Sequence, residues 1–214
     1  MILDRGPPPI PPGRNIRLAQ TFQQALAFHH KGRLGEAARL YRVALRHDSA
    51  HFDALYNLGF IEIQQGDFES GAQRVRKALR QRPQSAEAEN LLGVALRRMR
   101  RPEESARHFE TALAIRPDFA DAHYNLAGAL RELNRLREAA THYEKALAKN
   151  AAYVQAHFDL ASLLRIMGDS SAAIAHFDAV LALKPGHAAA HNGRAYALRE
   201  IGRIEDAQTG FSIK

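Results

Sequence analysis

The sequence repeats itself every 34 residues, and a fixed period of that length restricts a chain to architectures built by stacking one small unit on the next. Copies begin at Leu18, Phe52, Ala86, Ala120, Val154 and Ala188, with no slippage. We number the positions of each copy as slots one to thirty-four. Slot eight is small in all six copies: Ala25, Gly59, Gly93, Ala127, Ala161, Ala195. Slot twenty is also small: Ala37, Gly71, Ser105, Ala139, Ala173, Ala207. Slot twenty-four is bulky: Tyr41, Val75, Phe109, Tyr143, Phe177, Phe211. Slot twenty-seven holds Ala44, Ala78, Ala112 and Ala146, then Val180, and slot thirty-two holds Pro83, Pro117 and Pro185.

This pattern resembles the tetratricopeptide repeat family, which keeps small residues at slots eight and twenty, an aromatic at twenty-four, alanine at twenty-seven and proline at thirty-two. The resemblance covers residues 18–214 and implies an all-α fold. That fold is a right-handed superhelical solenoid of stacked antiparallel helix pairs, about six hairpins with the last incomplete. The residues give the same hairpin on their own. Helix A spans about slots one to fourteen and helix B runs to about slot thirty. Slot fifteen is Gly32, Gly66, Asn134, Gly168 or Gly202, residues that accept the left-handed conformation closing a helix. Arg100 stands there in the third copy and would cost about 1–2 kcal/mol if left-handed. Prolines at slot thirty-two end helix B. One such hairpin cannot bury its apolar face alone, so stability comes from stacking.

A helix turns 100° per residue, so slots four, seven, eight and eleven of helix A share one face and carry the leucines. Slots two, five, six, nine, twelve and thirteen lie opposite. The resemblance implies that this opposite face lines a concave, ligand-binding groove. Candidate groove residues are Tyr56, Asn57 and Phe60 in the second copy and Arg97 and Arg98 in the third. Tyr124, Asn125 and Arg131 follow in the fourth, Phe158, Asp159 and Arg165 in the fifth, and Tyr196 and Arg199 in the sixth. Slot twelve is the sharpest column, with Arg97, Arg131, Arg165 and Arg199 in consecutive copies. Amides can bond a peptide backbone, rings supply contact area, and guanidinium groups pair with carboxylate. The same arginines would also suit a helix C-terminus without binding anything.

Other chemistries find little footing. There is no cysteine, which excludes disulfides and thiolate metal sites. Histidines form two columns, His123, His157 and His191 at slot four and His108, His142 and His176 at slot twenty-three. Members of one column recur once per hairpin, on the order of 10 Å apart, too far to share a zinc ion. No metal and no cofactor is expected. Nor is a catalytic motif present, so the chain reads as no enzyme. No apolar run is long enough to span a bilayer and no secretory signal is visible, so a cytoplasmic location is expected and no membrane partner. The formal charge of +7 is concentrated between Arg74 and Arg101, where nine cations face two acids. That cluster raises a secondary expectation of weak, salt-sensitive nucleic-acid binding.

The ends depart from the repeat. Residues 1–17 form a Pro-rich leader, expected to be disordered, and Arg5 to Pro11 fits a short pattern read by SH3 domains. Copy six stops at slot twenty-seven, which would leave Phe211 and Ile213 on a ragged edge open to self-association. The leading expectation is a protein-protein interaction scaffold for an extended, acidic peptide or protein segment. Stretches such as YNLAGALRELNRLREAA are also similar to the repeats of O-linked N-acetylglucosaminyltransferase-type proteins, which carry an asparagine ladder at slot six. Asn57 and Asn125 match that ladder, while Leu91 and Gly193 break it. That resemblance implies a substrate-presenting arm whose catalytic domain is absent from this chain.

Overall fold

The computed structural model describes the backbone of residues 12–211 and the side chains of residues 17–202. Within them lie eleven helices and no strand. They are α1 (Pro12–His30), α2 (Leu34–His47), α3 (Phe52–Gln64), α4 (Phe68–Gln81), α5 (Ala86–Arg98), α6 (Pro102–Ile115), α7 (Ala120–Glu132), α8 (Leu136–Lys149), α9 (Val154–Ile166), α10 (Ser170–Leu183) and α11 (Ala188–Phe211). The chain divides into two compact units, 1–99 and 100–214. In the first, α1 pairs with α2 and α3 with α4, and α2 packs on α3 and α4 on α5. In the second, α7 pairs with α8 and α9 with α10, while α6 packs on α7, α8 on α9 and α10 on α11. Hairpins therefore pile up in sequence order within each unit.

Turn chemistry decides where each hairpin bends. Slot fifteen has positive φ in five copies: Gly32 at 71°, Gly66 at 88°, Arg100 at 61°, Asn134 at 59° and Gly168 at 86°. Arg100 accepts the left-handed geometry despite its Cβ, and Pro102 fits the first turn of α6 immediately after it. The residue after each turn starts helix B by one of two devices. Asp67 and Asp169 accept from the backbone N–H of Ser70 and Ala172. Arg33, Arg101 and Arg135 instead clamp Glu36, Glu104 and Glu138 three residues on.

Slots eight, twenty and twenty-four build the core. Ala37, Tyr41, Phe109, Ala139, Tyr143, Ala173 and Phe177 are all buried. Helices of one hairpin approach so closely at slots eight and twenty that a Cβ on Gly59 would lie 3.0 Å from the Gly71 carbonyl oxygen, and one on Gly71 2.9 Å from that of Gly59.

Helix α1 begins at Pro12, inside the segment read as leader, and the fixed φ of proline suits a first helical turn. Residues 1–11, with all of the SH3-type pattern, lie outside the described residues, as do Ile213 and the Phe211 side chain. The sixth hairpin does not bend at Gly202. α11 is a single helix of 24 residues running through it, and Gly202 is absent from the positive-φ positions. Glycine permits a left-handed turn but does not enforce one.

Candidate functional site

In the unit of residues 100–214, copies are joined through polar side chains on the A helices. Tyr124 on α7 donates its hydroxyl to Asp159 Oδ2 on α9 at 2.7 Å. Arg131, in the last turn of α7, reaches Asp159 Oδ1 at 3.8 Å. One copy further, Arg165 on α9 donates to Glu200 Oε1 on α11 at 3.0 Å, and the Ser170 hydroxyl donates to Glu200 Oε2 at 2.5 Å. The slot-twelve arginines of two consecutive copies thus hold an acid of the following copy. Both guanidinium side chains stay about one third exposed, 35% for Arg131 and 36% for Arg165. A guanidinium has five N–H donors, and one carboxylate does not saturate them.

Rings back this polar line. Tyr124 lies 4.9 Å from Tyr153 and 5.7 Å from Tyr143, centroid to centroid. Burial raises the Tyr124 hydroxyl well above the usual range, and its bond to Asp159 adds to that. Burial likewise raises Tyr153, with Asp121 contributing. Phe158 sits 6.0 Å from Phe177 and 5.1 Å from His187. Asn125 is half-buried on the same helix as Tyr124. The Ser170 bond, then Arg165, hold the Glu200 carboxyl below the ordinary carboxylate range. On α11, Tyr196 and Arg199 are exposed.

In the unit of residues 1–99, the candidates sit on α3 and α5. Tyr56 stacks on Phe52 at 6.1 Å, and Asn57 donates its amide to the Asp53 carbonyl at 2.7 Å. Phe60 packs 5.8 Å from His29. Arg97 is half-buried and Arg98 exposed at the end of α5. Three of the nine cations of the basic cluster are seen on acidic partners: Arg74 with Glu62, Arg82 with Asp53, Arg101 with Glu104.

The histidine columns meet where single-column spacing gave no hint. His123 Nδ1 lies 3.0 Å from His142 Nδ1, and His157 Nδ1 lies 3.0 Å from His176 Nδ1. Each slot-four ring also donates Nε2–H to the slot-thirty-two carbonyl, Pro117 at 3.1 Å and Ala151 at 3.1 Å. A neutral ring donating through Nε2 must accept at Nδ1, so His142 and His176 are the Nδ1 donors. Each pair ties helix A to helix B of its own copy. Burial, then the neighbouring His123, lowers His142 to about 4. Burial also lowers His123 and His176. Among the described residues no group of three or more His, Cys, Asp or Glu could hold a metal ion.

A histidine lowered by folding takes up its proton in the unfolded chain first. Stability is therefore full above pH 6.5 and falls as the pH drops towards 4. The denaturation midpoint should be lower at pH 5 than at pH 7.5, and His142→Asn with His176→Asn should flatten that difference. An equal pH dependence in the variant would remove the paired rings as its source.

Among the described residues no helix is long and apolar enough to cross a membrane. Sequence profiles described as Tetratricopeptide repeat match residues 28–94 and, in overlapping segments, 90–154, 129–166 and 158–208. No curated protein sequence matches the chain. Several solved structures share its fold. PilF of Pseudomonas aeruginosa superposes with a TM-score of 0.74 at 20% identity, over 90% of this chain and 93% of its own. MamA 41-end from Desulfovibrio magneticus RS-1 gives 0.71 at 22%, over 80% and 97%. YrrB, described as a TPR protein with an unusual peptide-binding site, gives 0.67 at 18%, over 82% and 90%. At these identities the likeness is one of fold.

Proposed function

We propose, from the premise that this chain belongs to the tetratricopeptide repeat family, that it is a non-catalytic scaffold holding an extended, acidic peptide or protein segment. The observation that carries this reading is the pair of half-committed guanidinium groups on α7 and α9. Arg131 and Arg165 are each tethered by one acid and each keep about a third of the side chain exposed. A ligand carboxylate placed between them would meet two charges already held in position, so little side-chain freedom is lost on binding. Tyr124, Asn125 and Phe158 flank them with ring surface and an amide. The peptide-binding site described for YrrB supports the class of ligand.

The test is a library of extended peptides, acidic and neutral, bound to the full chain. Acidic members should be enriched. Arg131→Ala with Arg165→Ala should weaken them tenfold or more, since a charge-assisted bond contributes about 1.5–3 kcal/mol. Unchanged affinity would make both arginines purely structural.

The substrate-presenting arm of an O-linked glycosyltransferase is the second reading, and it needs free amides at slot six. Asn57 is bonded to its own helix and Asp159 holds Tyr124 and Arg131, which favours the acidic-peptide reading. Nucleic-acid binding through residues 74–101 is weakened by the acids paired with Arg74, Arg82 and Arg101. Absence of duplex DNA binding at low salt would end it.

A further inference from the structure

A cavity of about 300 Å³ opens beside the buried ring of His123, in the unit of residues 100–214. Leu113 in the last turn of α6, Pro117 in the turn after it and Ala148 on α8 give it apolar walls. Lys145 and Lys149 on α8 give it two cations. His123 stands at slot four, on the packing face of α7, eight residues before Arg131. At 1.5 Å per residue that is about 12 Å along the helix, so the cavity is apart from the arginine column.

The lysines supply the charge in this cavity. The His123 ring has no polar atom left for a ligand, because Nε2–H is donated to the Pro117 carbonyl and Nδ1 accepts from His142. Lys145 and Lys149 both stand near that ring, where their charges add to burial in disfavouring its protonation. Neither lysine forms an ion pair with a described acid. Helix chemistry does not explain the pair. Like charges four residues apart on a helix repel. The helix dipole accounts for Lys149, in the last turn of α8, but its effect fades within that turn and leaves Lys145 without a reason. The repeat does not require them either. Copy five keeps the ring pair of His157 and His176, yet has Ala179 and Leu183 at the two lysine slots.

We propose that this cavity binds a small phosphate monoester, with the phosphate between Lys145 and Lys149 and the carbon part against Leu113, Pro117 and Ala148. A phosphate monoester carries close to two negative charges at pH 7 and three acceptor oxygens, which matches two ammonium groups with three donors each. A carboxylate carries one charge, and the carboxylates described above are held by arginine. Apolar walls favour an organic phosphate over the inorganic ion. The volume is that of roughly ten waters at about 30 Å³ each, room for a phosphate and one ring. The bond between His123 and His142 ties α7 to α8 and so holds the ring wall against the helix that carries both lysines.

Phenyl phosphate is the probe, titrated calorimetrically into the full chain beside inorganic phosphate and benzoate. It should bind severalfold more tightly than either, since inorganic phosphate lacks the apolar part and benzoate the second charge. Lys145→Gln with Lys149→Gln should weaken it tenfold or more, because two charge-assisted bonds are lost. Both side chains are exposed, so the thermal midpoint of that variant should stay within about 2 °C of the parent. Arg131→Ala with Arg165→Ala should leave phenyl phosphate binding unchanged, which separates this site from the peptide groove. Equal affinity for the three anions, no binding at all, or full binding by the lysine variant would overturn the proposal. Loss of binding in the arginine variant would overturn it too, by placing the anion in the groove. A phosphotyrosine side chain presents the same chemistry. Within a short neutral peptide it should bind no more tightly than phenyl phosphate, and tighter binding would overturn the assignment to a small molecule.

Discussion

Phe177→Ala should destabilise the chain by about 3–5 kcal/mol, the largest single effect expected in residues 100–214. The ring is 1% exposed and fills the space between α9, α10 and α11. It touches the position where Gly193 would carry a Cβ, 2.4 Å from Cζ and 2.7 Å from Cε1. Truncation leaves a void bounded by Phe158 and Ala190 that helix backbones cannot close. The measurement is a denaturant midpoint, with hydrogen exchange of the α11 amides expected to lose protection most. Leu183→Ala, at an exposed site, is the control and should change stability by less than about 0.5 kcal/mol. A small loss for Phe177→Ala would mean that α11 is held by something other than the ring. Gly193→Ala should also destabilise the parent chain, and less so in the Phe177→Ala background, because the clash partner is gone.

Removing Arg42 and Arg74 together should cost about 3–5 kcal/mol by stranding a buried charge. Glu62 on α3 is 4% exposed, with Arg42 of α2 at 3.3 Å from Oε1 and Arg74 of α4 at 3.5 Å from Oε2. The carboxylate ties three consecutive helices, and its Oε2 has no hydrogen bond besides that longer ion contact. Either arginine alone leaves one cation, so each single alanine variant should cost clearly less than half the double. Glu62→Gln in the double background should recover most of the loss, since an amide is far cheaper to bury than a charge. Thermal or urea unfolding of the four variants measures this. Additive single effects with no rescue would show that packing of the arginine stems, not the charge, is what matters.

Several features of the candidate site could be seen in the sequence as residue types but not as relationships. The arginine column at slot twelve is visible at sight. That Arg131 and Arg165 each engage an acid of the next copy is not, because Asp159 stands at slot six and Glu200 at slot thirteen. No shared column links those partners. Asp159 reads as an imperfect member of an asparagine ladder, yet its carboxylate accepts the Tyr124 hydroxyl from 35 residues away. Gly193 reads as a gap in the same ladder, and the Phe177 ring supplies the reason. The histidine pairs were missed for a related cause. Each column taken alone spaces its members a hairpin apart, whereas the contacts run between columns, 19 residues apart. A search for slot pairs that face each other inside one hairpin would have found them.

What the sequence by itself determined is local and periodic. The 34-residue register, the helix pairs, the small and bulky slots and the left-handed turn at slot fifteen all follow from rules acting within a few residues. Even Arg100 obeyed its register rather than its propensity, taking a φ of 61° at a cost of about 1–2 kcal/mol. Tertiary structure alone decided which charges neutralise one another, which rings pair, and whether Gly202 bends. Those outcomes depend on what lies across the stack. In copies one, two, four and five helix B packs back on helix A and rewards the turn, whereas Gly202 keeps a non-left-handed backbone within α11.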